Sequence, residues 1–437
     1  MTYWPVASYQ FVNWDDPWYI LNNPYLKSWS PDNLHAFATD IIIRNYSPLT
    51  IYTYLVEYTL FGTDPAGYHV VNVLLHMVNA ALVFLLVSQV TGNRLVGWGT
   101  AALFAVHPVQ IESVAWVSSM KGLLCGTFIL AHLVCWMRPE RTPKQEFWGL
   151  MFFFAALMSK ALTVVIPAIV LLYDVWVCRQ RFTEALARQF IPGMLSLWML
   201  LVTMGAQASE LGGLRAHWEL SKLHILAVDS IILWRYVGML LWPANLSLLY
   251  DPAVHGIALQ VALACLGWGL VAALAWRVRR SQPLIPFALV SALILLVPVL
   301  NLTRLTTLMN DRYLYMPSIF IFALLLSLLE AGWRRIGKMD RAWFAVPLTA
   351  TAALLIAARM HLPVWENDKA LWENTVAQAP TLPLVQYQYA TMLHNSGERT
   401  KAITVLQSAV NELNPDQVDE DRFQERLQEW RAATDET

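Results

Sequence analysis

Apolar runs, each close to the roughly 20 residues that a helix needs to cross a bilayer, recur between residues 68 and 360 of this 437-residue chain. Hydrocarbon offers no hydrogen bonds to an exposed backbone, and a run of this length meets that constraint as an α-helix. The runs lie at roughly 68–90, 95–115, 118–137, 147–161, 162–178, 189–206, 257–276, 283–302, 313–332 and 342–360. Charged residues make up 14% of the chain and hydrophobic ones 57%, whereas a soluble domain carries about 25% charged residues. The expected fold class is therefore all-α: a polytopic membrane bundle of about ten spanning helices, with a short helical tail.

The formal net charge of −1 gives no basic surface, so nucleic acid is not an expected partner. The 20 tryptophans suit the aromatic belts at membrane interfaces. Cys125, Cys135, Cys178 and Cys265 lie in or at the ends of apolar runs, and no CxxC pair suggests zinc or redox chemistry.

Lysine and arginine near the ends of spans stay on the cytoplasmic side. Basic turns occur at Arg94, at Arg138, Arg141 and Lys144, at Arg179, Arg181 and Arg188, at Arg277, Arg279 and Arg280, and at Arg334, Arg335, Lys338 and Arg341. Placing all five inside closes the parity if segment 223–243, which carries Asp229 and Arg235, lies in the interface or re-enters. Segments 1–67, 112–120, 207–256, 303–312 and 361–437 and the turn at Lys160 then face outward. This divides the chain into a first external loop (1–67), a membrane domain (68–362, with 207–256 a long external or interfacial segment) and helices 363–437. Within the tail, Leu384 to Pro415 fits one tetratricopeptide unit, with Tyr389, Ala390, Gly397, Ala402, Leu406 and Ala409 at the required spacing. One unit cannot bury its own apolar face. It needs either helix 419–433 as a cap or a docking partner.

Polar groups gather on the outward side. Asp15 and Asp16, between Trp14 and Pro17, suit a general base or a divalent cation, or form a turn with a capping aspartate. A carboxylate with apolar or anionic neighbours has a raised pKa, which suits taking a proton from a hydroxyl. His107 and Glu112 flank Pro108, which interrupts helical bonding, and Lys121 follows. An interrupted helix at membrane depth is tolerated where it lines a polar cavity. His107 alone also reads as a satisfied core histidine. Lys160, between two runs, either snorkels or reaches a phosphate. Asp311, Arg312 and Tyr313 open a span, with Arg304 just before; Arg312 suits a bidentate phosphate clamp, or forms an interfacial pair with Asp311. Arg235 is a further candidate. Carboxylates beside several cations suit an anionic lipid headgroup and a nucleophile that must lose a proton.

The chain resembles the transmembrane and tetratricopeptide-repeat-containing glycosyltransferases and their bacterial relatives, within the GT-C class of polyprenol-dependent enzymes. The resemblance runs in order through Phe11-Val12-Asn13-Trp14-Asp15-Asp16-Pro17, Ser47-Pro48-Leu49-Thr50, Pro65 to His76, His107 to Val117, Leu157-Met158-Ser159-Lys160, Leu241-Trp242-Pro243-Ala244-Asn245-Leu246 and Asn310 to Pro317. It implies a sugar donor on a polyprenyl phosphate and inverting transfer to a hydroxyl of a protein or glycan acceptor, with Asp15 and Asp16 catalytic. It also implies an active site and tail on the exported side of a membrane, here a bacterial inner membrane. Lys160 and Arg312 extend it as phosphate contacts; His107 and Glu112 are motif positions without a fixed role. Two features depart from the pattern. The family sets a spanning helix before the acidic pair, where this sequence has Met1 to Trp14. Relatives often have aspartate where Gly122 stands. Competing readings are a flippase for the lipid-linked sugar and a non-catalytic scaffold that presents the repeat.

Overall fold

The computed structural model describes residues 2–39, 41, 46–208, 220–301, 307–337, 341–412 and 420–435. Among these residues the regular structure is helical, with no strand. In order the helices are α1 (Pro31–Thr39), α2 (Pro48–Phe61), α3 (Pro65–Thr91), α4 (Arg94–Val106), α5 (Ile111–Ala115), α6 (Met120–Trp136), α7 (Pro143–Ser159), α8 (Ile166–Leu172), α9 (Phe182–Arg188) and α10 (Phe190–Ala208). They continue as α11 (Lys222–Leu241), α12 (Ala258–Val278), α13 (Leu284–Leu296), α14 (Pro317–Arg335), α15 (Ala345–His361), α16 (Asp368–Gln378), α17 (Pro383–Asn395), α18 (Arg399–Glu412) and α19 (Glu420–Asp435).

Local chemistry sets the ends. Asp64 caps α3 by accepting from the Ala66 amide at 3.0 Å, with Pro65 as the first helical residue. The helix stops where Gly92 takes φ +65°, a left-handed conformation glycine reaches without a steric penalty. Asn93 then caps α4 at the amides of Leu95 (2.9 Å) and Val96 (3.3 Å), and α4 packs back along α3. A capping box of Thr142 and Gln145 starts α7, which returns along α6.

The break between α4 and α6 positions the site. Pro108 has no N–H to extend α4, and the chain winds through a 3-10 turn at Pro108–Gln110, the short α5 and a second 3-10 turn at Val117–Ser119. The whole stretch is buried. Asn72, His76 and Asn79 lie on one face of α3 and serve this region. Asn72 donates to the Trp116 carbonyl at 3.0 Å and Asn79 to that of Leu123 at 3.0 Å. His76 lies 3.2 Å from the Ala105 carbonyl and 3.0 Å from Tyr315 Oη. Irregular backbone at membrane depth survives only with such partners.

Among the described residues, six helical stretches are long and apolar enough to cross a bilayer: Pro65–Thr91, Val117–Trp136, Lys222–Leu241, Ala258–Val278, Pro317–Arg335 and Ala342–Trp365. The pair Phe182–Arg188 and Phe190–Gly205, bent by 56°, makes a seventh, against the about ten expected. Arg94–Val106, Ala161–Val177 and Leu284–Val299 are apolar but shorter. Pro108, Pro167 and Pro298 lie where 3-10 turns join these helices. The ambiguous segment is also a full helix, α11. Its Asp229 accepts from the Asn301 side chain at 2.7 Å and the Asn301 amide at 3.2 Å, so the carboxylate does not bar α11 from hydrocarbon. Its first turn is tied back to the following connection by His224, 2.5 Å from the Val254 carbonyl.

A second apolar cluster gathers Tyr19, Phe37, Tyr54, Leu55, Tyr68 and Met120 beside the first segment. Glu57 of α2 is buried, and neither of its carboxyl oxygens has a hydrogen-bond partner among the described residues. Burial pushes its pKa up to about 8. Between the usual carboxyl range and pH 8 the folded protein therefore holds a proton that the unfolded chain has released. Glu57 thus stabilises the fold at acid pH, and that contribution is lost as pH rises toward 8. Thermal unfolding in detergent is expected to show stability falling by a few kcal/mol, as an order of magnitude, between about pH 5 and 9, and Glu57→Gln should flatten much of that slope. Identical slopes in the two proteins would place the charge elsewhere.

In the tail, α17 and α18 pack together around Ala390, Ala402, Leu406 and Ala409, all buried, with Gly397 at φ +88° in the turn. Helix α19 covers this pair: the Phe423 ring lies 5.3 Å from Tyr387, and Trp430 stacks on His394 at 4.4 Å.

Candidate active site

The acidic pair lies just before Pro17, which opens a π-helical turn, Pro17–Leu21. Asp16 is completely buried. One carboxylate oxygen accepts from the Val12 amide at 3.0 Å; the other accepts from the Ser118 amide at 2.9 Å and the Ser118 hydroxyl. Asp16 therefore fastens the first segment to the interrupted stretch between α4 and α6. Burial, with a smaller push from the Asp15 charge, raises its pKa to about 7 against the donors from Ser118 and Val12. Asp15 faces the other way. Its side chain is 31% exposed and stands 3.4 Å from Lys121 Nζ.

Lys121 also approaches the Tyr19 hydroxyl at 3.3 Å and sits 4.5 Å above the Tyr19 ring. Buried Trp116 forms a floor: Lys121 Nζ is 5.8 Å from its ring and the Arg312 guanidinium 5.2 Å. Arg312 makes an ion pair with buried Glu112 through Nη1, and its backbone amide donates to the second Glu112 oxygen at 2.8 Å. Two elements 200 residues apart are thereby locked together. Tyr313 lies 5.4 Å from the same guanidinium. Its neighbour Asp311 is buried and accepts from Tyr250 Oη at 2.5 Å. Burial, then the Glu112 charge, pushes the Asp311 carboxyl well above the usual range, opposed by Tyr250 and Arg312.

Lys160 ends α7 and, with Arg312, Tyr313, Ser113, Ser119 and Gly122, lines a pocket of about 30 Å³. A Cβ built on Gly122 would stand 4.0 Å from Lys160 Nζ, so this position borders the ammonium group. No carboxylate among the described residues pairs with Lys160. The structure thus brings together Asp15, Asp16, Glu112, Lys121, Lys160, Asp311, Arg312 and Tyr313.

His107 and Arg235 are not in that group. His107 is buried, its Nδ1 accepting from the Val109 amide at 3.2 Å and its Nε2 lying 3.2 Å from the Leu240 carbonyl. Both ring nitrogens serve the backbone at the break, as in a satisfied core histidine. Arg235 is exposed on α11, away from the pocket lining. Arg304 lies outside the described residues. Among the described residues no three His, Cys, Asp or Glu side chains stand close enough to hold a metal ion.

Sequence reasoning missed Ser118, Tyr19, Trp116 and Asp368. Asp368, at the start of α16, accepts from the Asn13 amide, while the Gln10 amide donates to the Glu366 carbonyl at 2.9 Å and Trp14 meets Trp372 edge-on at 5.8 Å. The C-terminal helices thus hold the acidic segment from behind. Asp368→Ala leaves a backbone amide unpaired and should cost about 1–3 kcal/mol. Hydrogen–deuterium exchange should then speed up over residues 12–16; unchanged protection would disconnect the tail from the site.

No family model matches the chain. Curated relatives do. The human protein O-mannosyl-transferase TMTC4 is 25% identical over 464 residues, covering 89% of this chain and 62% of that protein. The Caenorhabditis elegans protein O-mannosyl-transferase F38B6.6 is 24% identical over 422 residues, covering 88% of this chain and 57% of the relative. Mouse TMTC1 is 36% identical over 135 residues, 28% of this chain and 14% of that protein. The chain thus spans less than two thirds of the length of these relatives. Among solved structures, ArnT from Cupriavidus metallidurans bound to undecaprenyl phosphate aligns with a TM-score of 0.43 at 11% identity, covering 95% of this chain and 79% of that one, a likeness too loose to carry an argument. The similarity to TMTC4 and to the nematode protein, at 25% and 24% identity, runs through nearly the whole sequence.

Proposed function

We propose that this chain is a membrane glycosyltransferase that moves a sugar, mannose or another hexose, from a polyprenyl phosphate to a hydroxyl of a protein or glycan acceptor on the non-cytoplasmic side. The observation that carries this reading is the shared Trp116 floor, which sets the Asp15–Lys121 pair beside the Arg312–Glu112 pair, with Lys160 across a small pocket from Arg312.

Asp15 is the base, because its carboxylate is the accessible one; Asp16 spends both oxygens on Val12 and Ser118 and positions the loop. Asp15 takes the proton from the acceptor hydroxyl as that oxygen bonds to the anomeric carbon from the face opposite the phosphate. The bond between the anomeric carbon and the phosphate oxygen breaks, its electron pair leaves with the polyprenyl phosphate, and the configuration inverts. Arg312 and Lys160 hold the charge that develops on the phosphate. The pocket between them has room for a water or two, so entry of the headgroup is coupled to rearrangement of its lining. In this reading the α17–α18 pair is a single tetratricopeptide unit that braces the site, and the parent membrane is a bacterial inner membrane with site and tail exported. Residues 1–67, 68–362 and 363–437 are the corresponding functional divisions.

The test is the purified protein in detergent with polyprenyl-phosphate-linked hexoses and an acceptor peptide. Release of polyprenyl phosphate together with glycosylated peptide supports the assignment. Passage of intact donor across liposomes without such release overturns it in favour of a flippase.

A further inference from the structure

The last two turns of α3 meet the start of α13 and one side of α14, from Ile319 to Arg335, around a cavity of about 340 Å³. Helix α3 rises about 1.5 Å per residue, so Val90 lies roughly 27 Å along it from Asn72, which supports the active-site turn. The walls are apolar, with Leu86, Val90, Phe287, Ile319, Phe320 and Leu324 among them. Toward the helix ends the cavity shares Thr91, Gln282, Leu284, Ser327 and Ala331 with a cleft of about 740 Å³. That cleft is lined by Arg94, Arg334 and Arg341, and Arg335 borders the apolar part. Four guanidinium groups thus ring one opening. Among the described lining residues only Glu330 opposes them, and it is paired with Arg334.

We propose that this groove is a binding site for an anionic glycerophospholipid, with an acyl chain in the apolar cavity and the phosphate headgroup among the arginines. The combined volume is that of a ligand site. An apolar cavity of this size is not a stable place for water, which needs polar partners, so hydrocarbon is its natural filling. Guanidinium groups at the mouth match a phosphate in charge and in hydrogen-bonding geometry, and basic pockets between helices at a cytoplasmic face suit anionic headgroups. Charge chooses the occupant: a zwitterionic lipid offers the same chains but brings its own cation into a ring that already holds an excess of positive charge. The site does not depend on Asp15 or on the proposed transfer reaction, and it assigns a role to basic turns otherwise used only to fix orientation.

The test is native mass spectrometry of the full chain released from detergent after titration with phosphatidylglycerol or phosphatidylcholine of identical acyl chains. One phosphatidylglycerol should be retained preferentially. Arg94→Gln combined with Arg341→Gln should weaken retention by about tenfold or more, from two cations near the headgroup. Ala323→Phe, which fills the cavity and leaves the arginines in place, should also expel the lipid. Unfolding temperatures of the variants check that they fold. Equal retention of both lipids, unchanged binding by the folded double variant, or displacement only by polyprenyl phosphate would each overturn the proposal.

Discussion

If the chain transfers sugar as proposed, Asp15→Asn should leave the protein folded and remove that transfer, whereas Asp16→Asn should lower stability as well as activity. The difference follows from where the two carboxylates point. Asp15 has a side chain 31% exposed and one partner, Lys121, at 3.4 Å. The pair is half-buried, with Lys121 17% exposed, and a single ion pair at such a rim contributes about 1 kcal/mol, a small shift in a melting curve. Asparagine, however, cannot accept a proton from a hydroxyl, and loss of a positioned base costs about 10²–10⁴-fold in rate. Asp16 is fully buried and receives three donors from Val12 and Ser118. Asparagine at this position presents an NH₂ to groups that themselves donate, which strands at least one buried donor at about 1–3 kcal/mol. Ser118→Ala should reproduce part of the Asp16 loss of stability. The readouts are unfolding temperature and release of polyprenyl phosphate, measured on the same preparations. If Asp15→Asn turned over normally while Asp16→Asn did not, the accessible carboxylate would not be the base.

That division of labour was not legible in the sequence, although the pair itself was. Two adjacent aspartates after a tryptophan announce a site or a turn; only the fold shows that one faces inward and one outward. The partner that decides this, Ser118, is 102 residues away and belongs to no pattern. Asp368 is 355 residues from the amide it holds, and nothing in its surroundings advertises that contact. Periodicity and punctuation did better, because they are local. The Gly92-Asn93 turn, the Thr142-Pro143 start of α7 and the break at Pro108 follow from residue chemistry that acts within a few positions. Run lengths do not show where helices are cut short inside the bundle: an apolar stretch of 20 letters reads alike whether it is one helix or a helix, a 3-10 turn and another helix. His107 shows the same limit. Its position in a motif left its role open, and both of its nitrogens are met by backbone groups at the break between α4 and α6. In α11 the sequence displayed a charge, Asp229, but could not display the Asn301 side chain that satisfies it.

Removing either member of the Glu112–Arg312 pair should unsettle the protein far more than removing both. Glu112 is 1% exposed and its two oxygens are held by the side chain and the amide of Arg312. Arg312→Met leaves a buried carboxylate with only that amide. Glu112→Gln leaves a guanidinium in a region that already holds Lys160 and Lys121. Breaking a buried pair in this way costs about 3–5 kcal/mol, while replacing both charges with neutral groups of similar size is often close to neutral. The double variant Glu112→Gln with Arg312→Met should therefore recover most of the stability that each single change loses, which a double-mutant cycle on unfolding free energy measures directly. Transfer should not recover with it. If Arg312 stabilises charge on the departing phosphate, its absence costs about 10²–10³-fold whether or not Glu112 is present. Arg312→Lys keeps the charge but loses the planar fork that meets both Glu112 and a phosphate, and should fall between wild type and the methionine variant in both stability and rate. A stable double variant with full transfer would leave the pair a purely structural lock, and the phosphate would then have to be met by Lys160 alone.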